Sequence, residues 1–187
     1  MNVIIKELSH DTKLIKHVQE FLFYQIEKEF GYGYVPEWHQ DIIDLENYYI
    51  NPERNNFFVA FNSKTNEIIA TIGIRAYDKD FSLFKDIYSS KSTSSIWRLF
   101  VNEKYRRCGL ASKMFSVAET FANQQGYDSI YLHTHRTLDG ALEFWMKMGF
   151  VITVDTGDEL ETVHMNKKIR GIEISSPNST FSYALEL

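Results

Sequence analysis

The feature that most constrains the fold of this chain is the stretch from Ser95 to Gln125, where a strand pattern leads through a basic turn into a helix pattern. Ile96–Val101 is short and apolar, as in a buried strand, and Arg106–Ala111 forms the turn. The apolar residues that follow share one helical face: Leu110, Met114, Val117, Ala118 and Phe121. The order strand, basic turn and helix indicates an anion site at the turn.

The turn has the properties of a phosphate-binding segment. The first N–H groups of the following helix have no partner within the helix and carry the positive end of its dipole. Gly109 has no Cβ to keep a ligand from the backbone, and Arg106 and Arg107 add forked cationic donors. The turn lacks the glycines and lysine of a Walker loop and the three glycines of a dinucleotide fingerprint. On these residues alone, an ordinary connection with two solvated arginines is an equal alternative.

Two blocks of sequence carry a resemblance to a known family. Arg106, Gly109 and Ala111 have the spacing Arg/Gln-x-x-Gly-x-Gly/Ala, and this block resembles the signature of the GCN5-related N-acetyltransferases, the GNAT superfamily. The second block, Leu132–His135 followed by Ala141–Phe150, is similar to a later strand and helix of the same family. Because the blocks come in the family's order, together they are far more specific than either alone.

The resemblance implies that an acetyl group passes from acetyl-coenzyme A to an amine by direct attack in a ternary complex. The strand before the turn would hold the pantetheine arm, and the turn and helix start would hold the pyrophosphate. The positions implied to contact the cofactor are Leu99, Phe100, Val101, Arg106, Arg107, Cys108, Gly109, Leu110, Ala111, Ser112 and His135. Cys108 occupies a variable signature position, and direct transfer implies a structural thiol there rather than a nucleophile.

The residues expected to move protons depart from the family's pattern. Trp145 stands where the family usually has a tyrosine acid, and an indole N–H donates a hydrogen bond but does not release its proton. A core role for Trp145 is an equal alternative. The strand Ser95–Val101 holds no carboxylate, so the candidates for the proton acceptor are His133, His164 and, after its role as a ligand contact, His135. A packed, hydrogen-bonded role is the more ordinary reading of each histidine. Two histidines on one strand face do not complete a zinc site, and we expect no metal.

The acceptor amine is expected near an aromatic loop at Tyr32–His39, because the resemblance places the family's variable region there. Aromatic rings and the nearby carboxylates Asp41, Asp44 and Glu46 would suit a cationic amine. Asp41 and Asp44 also fit a solvated helix face, which is the more ordinary reading of such spacing.

The whole chain of 187 residues is predicted to be a single domain, 1–187, of mixed α/β (α+β) class with a mostly antiparallel sheet flanked by helices. A net charge of −5 argues against nucleic-acid binding, and no apolar run is long enough to cross a membrane. The single cysteine and the sequence start favour a cytoplasmic protein, either a monomer or a homodimer.

The patterns predict the following elements: strands over Val3–Leu8, Asn56–Phe61, Glu67–Tyr77, Ile96–Val101, Ser129–Thr134, Phe150–Val154 and Thr162–Ile169, and helices over Thr12–Phe30, Asp41–Tyr49, the segment after the basic turn, and a segment capped by Thr137. Ser9 or Asp11 is expected to cap the first helix, and Asp78–Ser94 is expected to be a long connection. The tail, 170–187, is expected to add an edge strand or to stay loose.

Three functions are compatible with these residues. The principal hypothesis is an acetyl-coenzyme A-dependent N-acetyltransferase that acts on a primary amine of a small molecule or peptide. The alternative is a binding module that holds acetyl-coenzyme A as a sensor or interaction surface without turnover. A different phosphate-ligand protein is the third hypothesis, and the second sequence block argues against it.

Overall fold

The computed structural model describes residues 2–79, 81–84, 87–169 and 182–186. Its strands are β1 (Asn2–Glu7), β2 (Asn56–Asn62), β3 (Ile68–Ala76), β4 (Thr93–Val101), β5 (Ser129–His135), β6 (Val151–Asp155), β7 (Thr162–Lys168) and β8 (Ser182–Glu186). Its helices are α1 (Thr12–Phe30), α2 (Pro36–Ile43), α3 (Leu110–Gln124) and α4 (Ala141–Lys147), with a π-helical turn at Glu46–Ile50 and 3₁₀ turns at Ser82–Phe84 and Glu103–Tyr105.

The described residues form two compact units. The first unit contains residues 2–75, 97–118 and 182–186. Its strands neighbour one another in the order β8-β1-β2-β3-β4, and β1 pairs antiparallel with both β8 and β2. Its core consists of apolar side chains from α1, α2, the π-helical turn and β2, together with Leu8 and Leu45: Val18, Leu22, Ile26, Ile42, Tyr49, Phe57, Val59 and Phe61.

The second unit contains the described residues within 76–96 and 119–169. Its strands follow the order β4-β5-β7-β6, in which β4 and β5 are parallel and the other pairs are antiparallel. Tyr77, Phe84 and Tyr131 form a buried aromatic cluster in this unit. With antiparallel pairs predominating beside helices, the predicted mixed fold class is confirmed, whereas the prediction of one domain remains a prediction.

Helix α1 is the element that the sequence defines best. The Asp11 side chain accepts hydrogen bonds from the N–H groups of Lys13 and Leu14 at 2.9 and 3.2 Å, which satisfies two of the unpaired amides at the helix start. Gly31 ends the helix in the left-handed conformation with a φ of 73°. The predicted helix Thr12–Phe30 and the cap at Asp11 are both confirmed.

Helix α2 begins earlier than the pattern predicts. It starts at Pro36 and ends at Ile43, and the π-helical turn Glu46–Ile50 follows it. The predicted helix over Asp41–Tyr49 is therefore helical over most of its length, but its start was placed too late and its division into two elements was not predicted. Proline fits the first turn of a helix because its missing N–H would have no partner there. The Val35 N–H donates to Nδ1 of His39 at 2.8 Å, which stabilises the helix start without a serine or aspartate cap.

The predicted cap at Thr137 is wrong. This residue lies exposed in a turn, and α4 begins at Ala141 after Gly140, whose φ is 70°. The left-handed conformation of Gly140 lets the chain enter the helix directly from the turn.

Strand β4 begins at Thr93, so the predicted connection Asp78–Ser94 is too long. The strand start was not visible in the pattern because Thr93 and Ser94 are polar, yet both are buried and pair in parallel with β5. The Thr93 and Ser129 hydroxyls lie 3.1 Å apart across this pair.

Strand β8, in the predicted tail, pairs with β1 in register Ile4↔Ala184. The rest of the tail, 170–181 and 187, lies outside the described residues. Throughout the described ranges, no helix is both long enough and apolar enough to cross a membrane.

Candidate active site

The loop between β4 and α3 has an accessible backbone at Gly109, directly before the helix. Gly109 has a φ of 80°, and a Cβ built on it would meet no atom within 4 Å. The first α-helical hydrogen bond runs from the Lys113 N–H to the Gly109 carbonyl at 3.1 Å, so the amides just before Lys113 are the unpaired ones of the helix start. An open glycine beside free helix amides is a fitting cradle for an anion.

The two arginines of this loop have different environments. Arg106 forms an ion pair with Glu29 of α1, and its Nε donates to the Val101 carbonyl at 3.1 Å. Its guanidinium therefore fastens the loop to α1. Arg107 is exposed and has a φ of 61°, and the Cys108 thiol donates to the Tyr105 carbonyl at 2.8 Å.

The end of β4, where the cofactor positions Leu99, Phe100 and Val101 lie half-buried, follows an irregular residue. Arg98 has a φ of 50°, a value that residues with a Cβ rarely adopt. Its carbonyl accepts a hydrogen bond from the Thr71 hydroxyl of β3 at 2.9 Å.

The side chain of Arg98 makes a buried ion pair with α2. Its Nε and Nη2 donate to the two carboxylate oxygens of Asp41 at 3.0 and 2.6 Å, and the Tyr49 hydroxyl donates to the same carboxylate at 2.6 Å. Nη2 also donates to the Trp38 carbonyl at 2.6 Å. Asp41 is only 4% exposed, so the solvated-face reading of this residue is wrong.

Charge neutralisation explains how Asp41 stays ionised in this place. Burial alone would raise the pKa of the Asp41 carboxyl, but hydrogen bonds and attraction to Arg98 outweigh burial and lower it. The same attraction raises the pKa of Arg98 against the effect of burial. Burial raises the pKa of Tyr49, which therefore keeps its proton as the donor to Asp41.

Aromatic rings of the predicted acceptor loop surround His39, which is buried. The ring centroids of Tyr32, Tyr34 and Phe23 lie 5.7 to 6.1 Å from that of His39. Burial, assisted by the charge of Arg98, lowers the pKa of His39. Trp38 is 57% exposed beside Tyr32, so the loop presents an aromatic surface to solvent.

In the second unit the histidines lie on neighbouring strands. His133 of β5 is directly opposite His164 of β7, with ring centroids 6.1 Å apart. His135 lies 6.2 Å from His133 by the same measure, and its Nδ1 is 3.4 Å from the Thr162 hydroxyl. His133 and His135 are half-buried, whereas His164 is 5% exposed.

Tyr131 pairs with His164. The Tyr131 hydroxyl is 2.7 Å from Nδ1 of His164, and burial raises the pKa of this tyrosine and lowers that of the histidine. Both groups are therefore neutral near pH 7, so the hydroxyl donates and the remaining ring proton of His164 is on Nε2.

Trp145 lies within an aromatic packing contact. It is 7% exposed, and its ring meets Phe144 and Phe150 edge-on with centroids 4.9 and 5.3 Å away. Among the residues that the structure describes, no group of three or more histidine, cysteine, aspartate or glutamate side chains could hold a metal ion.

The sequence reasoning missed Arg98 and Tyr131, and it named Asp41 without its role as the partner of Arg98. For Arg98 there was a usable signal, because a cation within the apolar strand Ile96–Val101 requires a buried partner. The partner itself was not identifiable, since Asp41 precedes it by 57 residues. Tyr131 gave no signal beyond an aromatic residue in a strand.

Comparison with known proteins identifies the family. The family model described as Acetyltransferase (GNAT) family matches residues 16–150. The chain therefore belongs to this family of acetyl-coenzyme A-dependent acetyltransferases, and the family indicated by the two sequence blocks is confirmed.

Individual relatives agree with this assignment. N-acetyltransferase 8 of Rattus norvegicus is 28% identical over 112 residues, which are 60% of this chain and 46% of that protein. The probable N-acetyltransferase san of Drosophila melanogaster is 36% identical over 80 residues, which are 40% of this chain and 43% of that protein. The chain thus spans less than half the length of these relatives.

Solved structures share the fold. A GNAT-family acetyltransferase from Staphylococcus aureus superposes with a TM-score of 0.70 at 20% identity, covering 89% of this chain and 99% of that one. The PaiA N-acetyltransferase of Thermoplasma acidophilum, solved in complex with coenzyme A, gives a TM-score of 0.63 at 18% identity, covering 90% and 100%.

Proposed function

We propose that this chain is an N-acetyltransferase that transfers the acetyl group of acetyl-coenzyme A to a primary amine of a small molecule or a peptide, by direct attack in a ternary complex. The observation that carries the proposal is the loop in front of α3. An open glycine with a φ of 80°, an exposed arginine and the first amides of a fifteen-residue helix come together there. These groups fit a pyrophosphate.

The residues that would hold acetyl-coenzyme A are those that the family resemblance implies. The pyrophosphate would lie on the amides from Arg107 to Ser112, with the exposed guanidinium of Arg107 as the charged contact. Arg106 would support the site indirectly, because its guanidinium pairs with Glu29 and so holds the loop in place instead of contacting the ligand. Leu99–Val101 would offer backbone groups to the pantetheine arm. The cofactor contact of His135, which lies in the second unit, stays a prediction.

His133 is our candidate for the group that accepts the proton of the attacking amine. Histidine is the side chain that most often takes part in proton transfer near neutral pH. His164 suits this task less, because its Nδ1 already accepts the Tyr131 hydroxyl and its Nε2 carries the proton. A buried His164 would instead shape the surroundings of His133, which lies directly opposite.

No side chain acid is needed to release the product thiol. A thiol of this kind has a pKa of about 8.5, so its thiolate leaves without prior protonation and takes a proton from solvent. Trp145, packed between two phenylalanines, would then be a structural residue at the family's tyrosine position.

The acceptor would meet the aromatic loop. Tyr34 and Trp38 are 49% and 57% exposed, which favours an acceptor with an apolar or cationic body. Asp41 would not bind the amine, since Arg98 neutralises its charge. The cytoplasmic location and the monomeric or dimeric state remain predictions.

The first test is calorimetric titration with acetyl-coenzyme A, followed by a thiol-release assay over polyamines, amino acids and peptide N-termini. Binding with thiol release would support the enzyme. A lack of binding would contradict the proposed cradle.

A substitution at Gly109 tests the cradle directly. We expect Gly109→Val to weaken acetyl-coenzyme A binding at least about tenfold, because the side chain would occupy the space where the ligand approaches the backbone. Gly157→Val is the matched control: Gly157 also has a positive φ, 61°, and open space around it. Equal loss of affinity in both variants would show that backbone strain, and not ligand contact, causes the effect.

The alternative is a sensor that binds acetyl-coenzyme A without turnover. The packing of Trp145 and the lack of a carboxylate in β4 favour it, since both remove family groups that move protons. Tight binding without thiol release on any amine of the panel would support this alternative.

A further inference from the structure

Arg98 connects two parts of the first unit: strand β4, which is proposed to hold the cofactor, and helix α2, which is proposed to lie near the acceptor. Its backbone lies in β4, immediately before the residues proposed to hold the pantetheine arm. Its side chain reaches α2, where it binds the Asp41 carboxylate with two donors and the Trp38 carbonyl with a third hydrogen bond. One residue thus joins the cofactor strand to the acceptor loop.

The backbone at Arg98 is held in an unusual conformation. A φ of 50° is unfavourable for a residue with a Cβ, and such a residue persists only where its surroundings fix it. The Thr71 hydroxyl holds the carbonyl of Arg98 at 2.9 Å, while Asp41 and Trp38 hold the guanidinium. The residue is therefore fastened at both its backbone and the end of its side chain.

Burial strengthens the ion pair between Arg98 and Asp41. The side chains of Arg98 and Asp41 retain 14% and 5% of their exposure, so solvent screens their attraction little. The paired geometry also fixes direction, because a guanidinium fork meets a carboxylate in one plane.

We propose that Arg98 is a positioning residue for acetyl transfer, which fixes the left-handed turn of β4 and couples the acceptor loop to bound acetyl-coenzyme A through Asp41 and Trp38. The inference rests on the proposed function. If the side chain is released, residue 98 relaxes toward extended φ values and shifts the backbone of Leu99–Val101. Helix α2 then also loses its hydrogen bonds to Arg98. Ligand binding that rigidifies β4 can therefore no longer rigidify α2.

Two double variants separate the roles of backbone and side chain. Arg98→Gln with Asp41→Asn removes both buried charges together, so that neither is left without a partner. Arg98→Gly with Asp41→Asn does the same, but glycine adopts a positive φ without strain. Arg136→Ala is the matched control, because Arg136 makes a similar two-donor pair with Asp155 on an exposed surface of the second unit.

The measurements are acetyl-coenzyme A affinity by calorimetry and hydrogen exchange of the amides in 36–43 with and without acetyl-coenzyme A. In the unaltered chain we expect the ligand to slow exchange in this segment. The glutamine double variant should lose about tenfold in affinity and lose the protection, whereas the glycine double variant should keep its affinity and lose only the protection. With an amine identified in the panel, kcat should fall about 100-fold in the glutamine variant.

The outcomes separate this inference from the proposed function. If the unaltered chain does not bind acetyl-coenzyme A, both fail. If it binds and both double variants behave like Arg136→Ala, the proposed function stands and the role of Arg98 is overturned. Equal loss of affinity in the glycine and glutamine variants would overturn the part assigned to the left-handed turn, and retained protection of 36–43 would overturn the coupling.

Discussion

At the scale of single residues, Gly73 of β3 shows how closely the core approaches the backbone. A Cβ built on this glycine would lie 2.6 Å from Cε1 of Tyr49 and 3.1 Å from Cδ2 of Phe57. The Tyr49 ring therefore packs directly on the strand, and this contact sets where its hydroxyl meets Asp41. Only glycine at position 73 leaves room for the Tyr49 ring in the place from which its hydroxyl reaches Asp41.

We expect Gly73→Ala to lower the free energy of unfolding by about 1–3 kcal/mol, because an added methyl group overpacks a closed core. The Tyr49 ring is held by Phe57 on one side and by its hydrogen bond on the other, so it has little freedom to move away. Urea unfolding followed by tryptophan fluorescence measures the change.

Gly33→Ala is the control, since nothing lies within 4 Å of the added Cβ and the backbone φ is ordinary. Its stability should match that of the unaltered chain. A Gly73→Ala variant of unchanged stability would contradict the packing described here.

At the scale of secondary-structure elements, α1 supports the rest of the first unit. Val18, Leu22 and Ile26 lie in the core, and Glu29 holds the loop of the proposed cofactor site through Arg106. Fraying of this helix would therefore affect both the core and the loop.

Removal of the cap tests how far α1 depends on its first turn. We expect Asp11→Ala to destabilise the protein by about 1 kcal/mol, because the amides of Lys13 and Leu14 lose the acceptor that satisfies them. Thermal unfolding measures the change, with Asp139→Ala in an exposed turn as the control. If the two variants were equally stable, the cap at Asp11 would not contribute to the stability of the protein.

The elements also show where sequence reasoning succeeds and where it stops. Helix α1, the apolar end of β4 and helix α3 were predictable, because apolar spacing, Asp11 and Gly31 are all local signals. The start of α2 was misplaced, since its stabilising contact is the Val35 amide on a histidine ring rather than a standard cap. The partner of Arg98 was not predictable, because pairing across 57 residues depends on the fold and not on spacing.

At the scale of the whole molecule, buried titratable groups predict how stability changes with pH. The pKa values of His39 and His164 are lowered mainly by burial, so the unfolded chain binds protons more readily than the folded chain. Their contribution is complete above the ordinary histidine pKa of about 6.5 and is lost as the pH falls from there toward the folded pKa. Asp41 behaves alike at lower pH: its contribution is complete above about 3.9 and is lost below.

We therefore expect the free energy of unfolding to fall in two stages on acidification, first below about pH 6.5 and again below about pH 4. Urea unfolding at a series of pH values between 3 and 8 measures both stages. His164→Gln should reduce the first stage but not abolish it, since His39 continues to titrate in the same range. The second stage should be unchanged.

Asp41→Asn should give a less stable protein whose second stage is smaller, because the amide has no proton to gain. The exposed pair of Arg136 and Asp155 also titrates in acid, but solvent screening makes its share small. His164→Gln is thus the control for the stage below about pH 4, and Asp41→Asn is the control for the stage below about pH 6.5. A curve whose two stages were unchanged by either substitution would show that titration of His164 and Asp41 does not set the acid stability of the fold.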